Sequence, residues 1–208
     1  MRDAVGFIEM GGWSPAMVVL DIVTKNARVE LLQAELNDGP GVCMKVSGGV
    51  EHVAAAVEQA KTVAAQMQVS CVAEVIAAPD PRGAAAYLPP AEFSPLIEQM
   101  TVHVPEAGDS KEEAVAHQAD FAVGLIETQG FTAVFEAIDT AIKAADVEVL
   151  AREKLGGGYI AVLIKGDVAA VTAAIEAGKS KVEGLGRLIA AHVIASPSRG
   201  VLSLVPRP

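Results

Sequence analysis

Residues 4–13 read AVGFIEMGGW, and residues 122–131 read AVGLIETQGF. They are one run written twice, 118 positions apart. Working outward, the register holds without a gap. Asp21 meets Asp139, Lys25 meets Lys143, Val29-Glu30 meets Val147-Glu148, and Glu35 meets Glu153. Further on, Gly48 meets Gly166, Ala55-Ala56 meets Ala173-Ala174, Lys61 meets Lys179, Val75-Ile76 meets Val193-Ile194, and Pro79 meets Pro197. About a third of positions 4–79 are identical at this shift. Chance does not keep one register over that length, so the chain is a tandem duplication of a single unit with a connector between.

The unit itself can be read locally. Residues 3–10 are apolar and β-prone, a strand. Ser14-Pro15 opens a helix, with Ser14 as N-cap and Pro15 in the first helical position, running to about residue 26. Residues 29–36 and 41–47 read as two strands around the turn Asn37-Asp38-Gly39-Pro40. Val50, Val53, Ala54, Val57, Ala60, Ala64 and Met67 repeat at helical spacing. Residues 69–77 form a last apolar strand. The order βαββαβ predicts an α+β fold, ferredoxin-like, with an antiparallel sheet and two helices on one face. The second copy repeats it over about 121–195. The division that follows is a first domain over 1–100, a connector over 101–120 and a second domain over 121–208. Within 80–120, residues 80–83 read as a turn. Phe93, Leu96, Ile97 and Met100 line one side of a short helix, and the charged stretch 110–118 reads as solvated.

Composition narrows the function classes. The chain has 208 residues, 51% of them hydrophobic but only 4% aromatic, and a net charge of −10. That is core-forming material, not a disordered or disulfide-built chain. The acidic balance disfavours a nucleic-acid partner. No run of apolar residues is long enough to span a bilayer, and the start carries no signal-peptide pattern, so a cytoplasmic protein is expected. Cys43 and Cys71 form no CxxC and are expected to be packed thiols. His52, His103, His117 and His192 show no ligand spacing, so no metal is assigned. No phosphate loop is present and neither copy holds a nucleophile–base pair, so no enzyme activity and no cofactor are expected. Glu9 and Glu127 recur at strand ends. They read as acceptors for a neighbouring backbone in preference to an acid/base pair. Trp13 and Phe131 read as anchors for the first helix of each unit.

With those residues in view, the second unit resembles the bacterial microcompartment shell domain. The stretches that carry the resemblance are AVGLIETQGF at 122–131, AIDTAIKAADVEVL at 137–150, EKLGGGYIAVLIKGDVAAVTAAIEAG at 153–178 and HVI at 192–194. The first unit is a diverged copy over 4–79. Two such domains in the ordinary, non-permuted order resemble the tandem shell proteins, which implies a homotrimer imitating a hexamer in a single layer. The resemblance further implies a tile in the shell of a cytoplasmic bacterial microcompartment. It would meet hexameric and pentameric shell proteins edge to edge, and small polar metabolites would pass through a central pore.

The family places its pore at the turn between the second and third strands. The resemblance therefore implies pore loops at Asn37, Asp38, Gly39 and Pro40 and at Leu155, Gly156, Gly157 and Gly158. As sequence alone, both are equally ordinary hairpin turns. Glycines let backbone amides crowd an axis and face anionic or polar solutes, while three copies of Asp38 oppose anions. The family's usual Gly-Ser-Gly has Gly157 in the middle here, and Leu155 stands where Ile is usual. Neither loop has the cysteine through which some tandem shell proteins hold an iron–sulfur cluster. Lys25 and Lys143 sit four residues after Asp21 and Asp139. They read as exposed ion pairs, and the resemblance implies that they pack at the tile edge. The family's arginine in a proline segment after the last strand is absent, with Ala77-Ala78-Pro79 and Ala195-Ser196-Pro197 in its place. A trimeric ferredoxin-like sensor or carrier of small molecules is the competing reading.

Overall fold

The computed structural model describes residues 3–37, 39, 41–105 and 119–205. Asp38 and Pro40 of the first turn, and the stretch 110–118 with His117, lie outside the described residues. The first unit is β1 (Ala4–Gly11), α1 (Trp13–Asn26), β2 (Val29–Leu36), β3 (Gly41–Gly48), α2 (Val50–Gln66) and β4 (Cys71–Ile76). The second is β7 (Ala122–Gln129), α4 (Phe131–Ala144), β8 (Glu148–Gly156), β9 (Tyr159–Gly166), α5 (Val168–Lys179) and β10 (Arg187–Ile194). Between them lie α3 (Ala84–Tyr87), β5 (Glu92–Ser94) and β6 (Gln99–His103), and α6 (Arg199–Ser203) follows the second unit. Each unit is βαββαβ. Its strands run antiparallel in the order β4-β1-β3-β2 and β10-β7-β9-β8, the ferredoxin-like arrangement.

The central strand shows why the glycine of the VG motif recurs. A Cβ on Gly6 would come within 2.8 Å of Val53, and one on Gly124 within 2.8 Å of Val171 and Ile175. Without side chains there, α2 and α5 settle directly on the sheet. Alternate residues of each strand point to opposite faces. Ala122 and Ile126 of β7 therefore join Ile160, Val162 and Ile164 of β9 in a core under α4 and α5. Val123 and Leu125, with Ala161 and Leu163, point the other way and join the core of the first unit. The second sheet is thus apolar on both faces, because the first unit covers one of them.

Two local expectations are overturned. The segment around residues 90–100 is not a helix: β5 and β6 form a hairpin, and β6 pairs with β2 through Ala34–His103 and Glu35–Val102. β2 is an edge strand in the bare unit, and its unpaired amides and carbonyls are satisfied by added strands. The apolar side chains there do not line a buried stripe, for Leu96 is 94% exposed and Phe93 is also exposed. Nor is Ser14 the cap of α1. The helix begins at Trp13 with Gly12 before it, and Pro15 is its third residue.

Candidate functional site: the paired turns and the seam

The two turns singled out from sequence come together. A Cβ on Gly157 would stand 4.0 Å from the Gly39 Cα, and Gly39 lies beside the Tyr159 ring. Asn37 closes the base of the first turn, donating its backbone N–H to the Gly41 carbonyl. Its side chain donates to Glu9 Oε1 at 2.5 Å. In the second turn Gly156, Gly157 and Gly158 all adopt positive φ, 81°, 57° and 82°. A two-residue hairpin with left-handed geometry at both central positions matches strand twist and demands such residues. Turn chemistry accounts for the glycines, and the glycines leave backbone with no side-chain screen at the tip. Leu155 is different: it is buried in the core shared by the two units.

The seam between the units is built on α1. Its N-terminus is capped from outside, because Glu127 of β7 accepts from the backbone N–H of Ser14 at 2.7 Å and of Trp13 at 3.4 Å. A carboxylate there satisfies amides with no intrahelical partner and meets the positive end of the helix dipole. Burial pushes the Glu127 carboxyl above its usual range, while the Ser14 and Trp13 amides pull the other way. The Ser14 hydroxyl lies against the same carboxylate without an aligned hydrogen bond. At the far end of α1, Asp21 accepts from the Ser198 N–H at 2.7 Å, and Lys25 donates to the Ser196 carbonyl as well as to Asp21. Val201 and Leu204, in and just after α6, bury themselves on the same side.

Lys143 repeats the ion pair, to Asp139, but both are exposed to solvent, and among the described residues neither side chain hydrogen-bonds to the other unit. Trp13 is an anchor as read, fully buried, whereas Phe131 is 40% exposed. Cys43 and Cys71 are free and half-buried, and burial raises both thiols. Among the described residues, no group of three His, Cys, Asp or Glu is placed to hold a metal ion, and no helix is long and apolar enough to cross a membrane.

One buried group escaped the sequence reading. Glu153 is fully buried, accepts from the Gln99 side chain through Oε2, and has no partner at Oε1 among the described residues. Burial alone lifts its carboxyl to about 8. Its counterpart Glu35 is paired with Lys45, which also donates to Gln33 at 2.6 Å. The signal was present in the repeat: Lys45 is replaced by Leu163 and Gln33 by Ala151, so the second glutamate kept its place and lost its partners.

Comparison with known proteins matches the BMC domain to residues 4–79 and again to 122–197. The carboxysome shell protein CsoS1 of Prochlorococcus marinus is 48% identical over 81 residues, covering 38% of this chain and 79% of that protein. The bacterial microcompartment shell protein PduA of Citrobacter freundii is 41% identical over 86 residues, covering 41% of this chain and 92% of that protein. A solved microcompartment protein from Desulfitobacterium hafniense DCB aligns over 95% of this chain and 96% of its own, at 23% identity and a TM-score of 0.36, too loose an overlay to bear on the fold.

Proposed function

Since the chain belongs to the BMC domain family, matched over both of its units, we propose that it is a structural shell protein of a bacterial microcompartment. It works as one tile of the shell, within the cytoplasm. Three chains close into a ring of six units, a pseudohexamer, and the ring packs edge to edge with hexameric and pentameric shell proteins. Its role is architectural, not catalytic, and the family match favours the tile over a sensor or carrier.

The observation that carries this reading is a seam used once and offered twice. Within the chain, α1 is buried against the second unit. The equivalent helix α4 leaves Phe131, Phe135 and Ile142 at 40%, 50% and 43% exposure. Their counterparts at the 118-residue shift are Trp13, Met17 and Thr24; Trp13 and Met17 are buried, and Thr24 is part-buried. A contact whose two sides are different surfaces propagates from copy to copy and closes when the rotation allows. Exposed aromatics at the matching position give the next copy its landing site.

The adjacent turns at Gly39 and Gly157 give the ring a narrow, backbone-lined opening on its axis, through which small polar metabolites pass. Asn37, Asp38, Pro40, Gly156 and Gly158 complete the two loops, and Leu155 contributes backbone there. Lys25 and Lys143 serve the outer edge. Electron microscopy of purified protein tests the tile: sheets, tubes or closed shells support it, and dispersed particles that never associate with partner shell proteins would refute it. Replacing Lys25 and Lys143 together by Ala should keep rings but impair tiling. Gly157→Trp should obstruct the opening and leave the ring intact.

A further inference from the structure

We propose that Glu9 is the cap of helix α4 in the next copy of this chain, so that a buried glutamate closes every seam of the ring. The inference rests on the three-chain ring proposed above and adds the residues that join one copy to the next. Three observations meet on it.

The first is the in-chain contact already described. Glu127 reaches the Trp13 and Ser14 amides from the strand face that points away from its own helices. Glu9 holds the same place in β1: it is the 118-residue counterpart of Glu127, and it faces Cys43 of β3 as Glu127 faces Ala161 of β9. The second is an unmet need. α4 starts after Gly130 as α1 starts after Gly12, neither glycine supplies a side-chain cap, and no acidic residue stands in the first turn of either helix. α1 borrows its cap from the other unit. Among the described residues, no side chain does this for α4. The third is an unspent carboxylate. Glu9 is exposed, and its one hydrogen bond among the described residues is from Asn37 to Oε1. Oε2 remains to accept from the amides of Phe131 and Thr132.

The surfaces around the contact agree. Beside the α4 N-terminus lie exposed Phe131 and Phe135, with ring centroids 6.1 Å apart. They are the counterparts of Trp13 and Met17, both of which the in-chain seam buries. A negative side chain beside a helix N-terminus, flanked by aromatics, is complementary in charge and in polarity. The two seams are not copies throughout. Phe7, the counterpart of Leu125, is covered edge-on by Tyr87 of its own chain at 5.6 Å between ring centroids. The cap end is where they coincide.

Hydrogen exchange of the assembled protein, read at single amides, tests the proposal beside native mass spectrometry at the same concentration. Glu9→Ala should speed exchange at Phe131 and Thr132 roughly tenfold, the loss expected of a helix cap. Glu9→Gln should give a smaller change. Trp13 and Ser14, capped within the chain by Glu127, should not move, which also shows that the variant is folded. Rings of three chains whose Phe131 and Thr132 amides ignore Glu9 would overturn this pairing and leave the ring standing. A single chain at every concentration would overturn the ring, and the pairing with it.

Discussion

Helices α1 and α4 are the same helix by sequence register and opposite in environment. Both follow a glycine, both carry an Asp–Lys pair four residues apart, and both lie on an antiparallel sheet of the same strand order. Yet α1 is covered on the side that α4 leaves open. What a duplicated unit buries depends on which copy stands beside it, not on its own pattern alone. Residues at identical positions should therefore respond unequally to the same substitution. Each prediction below tries to erase or enlarge that inequality.

The largest effect belongs to the aromatic pair. Trp13→Ala should cost about 3–5 kcal/mol of chain stability in denaturant unfolding, the usual result of emptying a fully buried aromatic site. Phe131→Ala in dissociated chains should cost less than about 1 kcal/mol. Equal losses would mean that α4 is covered within a single chain.

The paired glutamates should differ in sign. The folded chain keeps a proton on Glu153 up to about pH 8, while the unfolded chain releases it near 4.5. The folded state therefore binds more protons between those values, and stability falls as pH rises through that window. Glu153→Gln should flatten this slope and stabilise the protein at pH 8 by on the order of 4 kcal/mol. Glu35→Gln should instead destabilise by about 1 kcal/mol, because it weakens the partner of the buried Lys45 ammonium. Unfolding curves at several pH values separate the two.

At the far end of the helices the contrast narrows. Asp21→Ala removes the acceptor for the Ser198 amide and the partner of Lys25, and should cost about 1–2 kcal/mol. Asp139→Ala removes an exposed, solvent-screened i,i+4 pair and should cost clearly less than Asp21→Ala. Thermal melts of the two single variants suffice to rank them.

The order of strands and helices in each unit was legible in the sequence, because hydrophobic period and turn chemistry are local and the repeat supplied a second reading of each. The strands around Gly6 and Gly124, the glycine turn at 156–158 and the i,i+4 pairs all follow from neighbours within a few residues. The hairpin of β5 and β6 did not, since Phe93, Leu96, Ile97 and Met100 fit a helical spacing as well. What decides it is the open edge of β2, a partner nearly seventy residues earlier. The cap of α1 was hidden for a similar reason. Ser14-Pro15 is a sound local start signal, but Glu127 supplies the cap from 113 positions away and shifts the start to Trp13. Contacts between the units obey no periodicity, and only their loose ends, such as Phe131 and Phe135, hint at what is missing.

The most direct measurement is the number of chains in the assembly, by sedimentation equilibrium over a wide concentration range. Three chains per particle is the predicted result, with dissociated chains recovered when Phe131 and Phe135 are both replaced by charged residues. A lone chain at every concentration, its α4 face still open to solvent, would contradict the account.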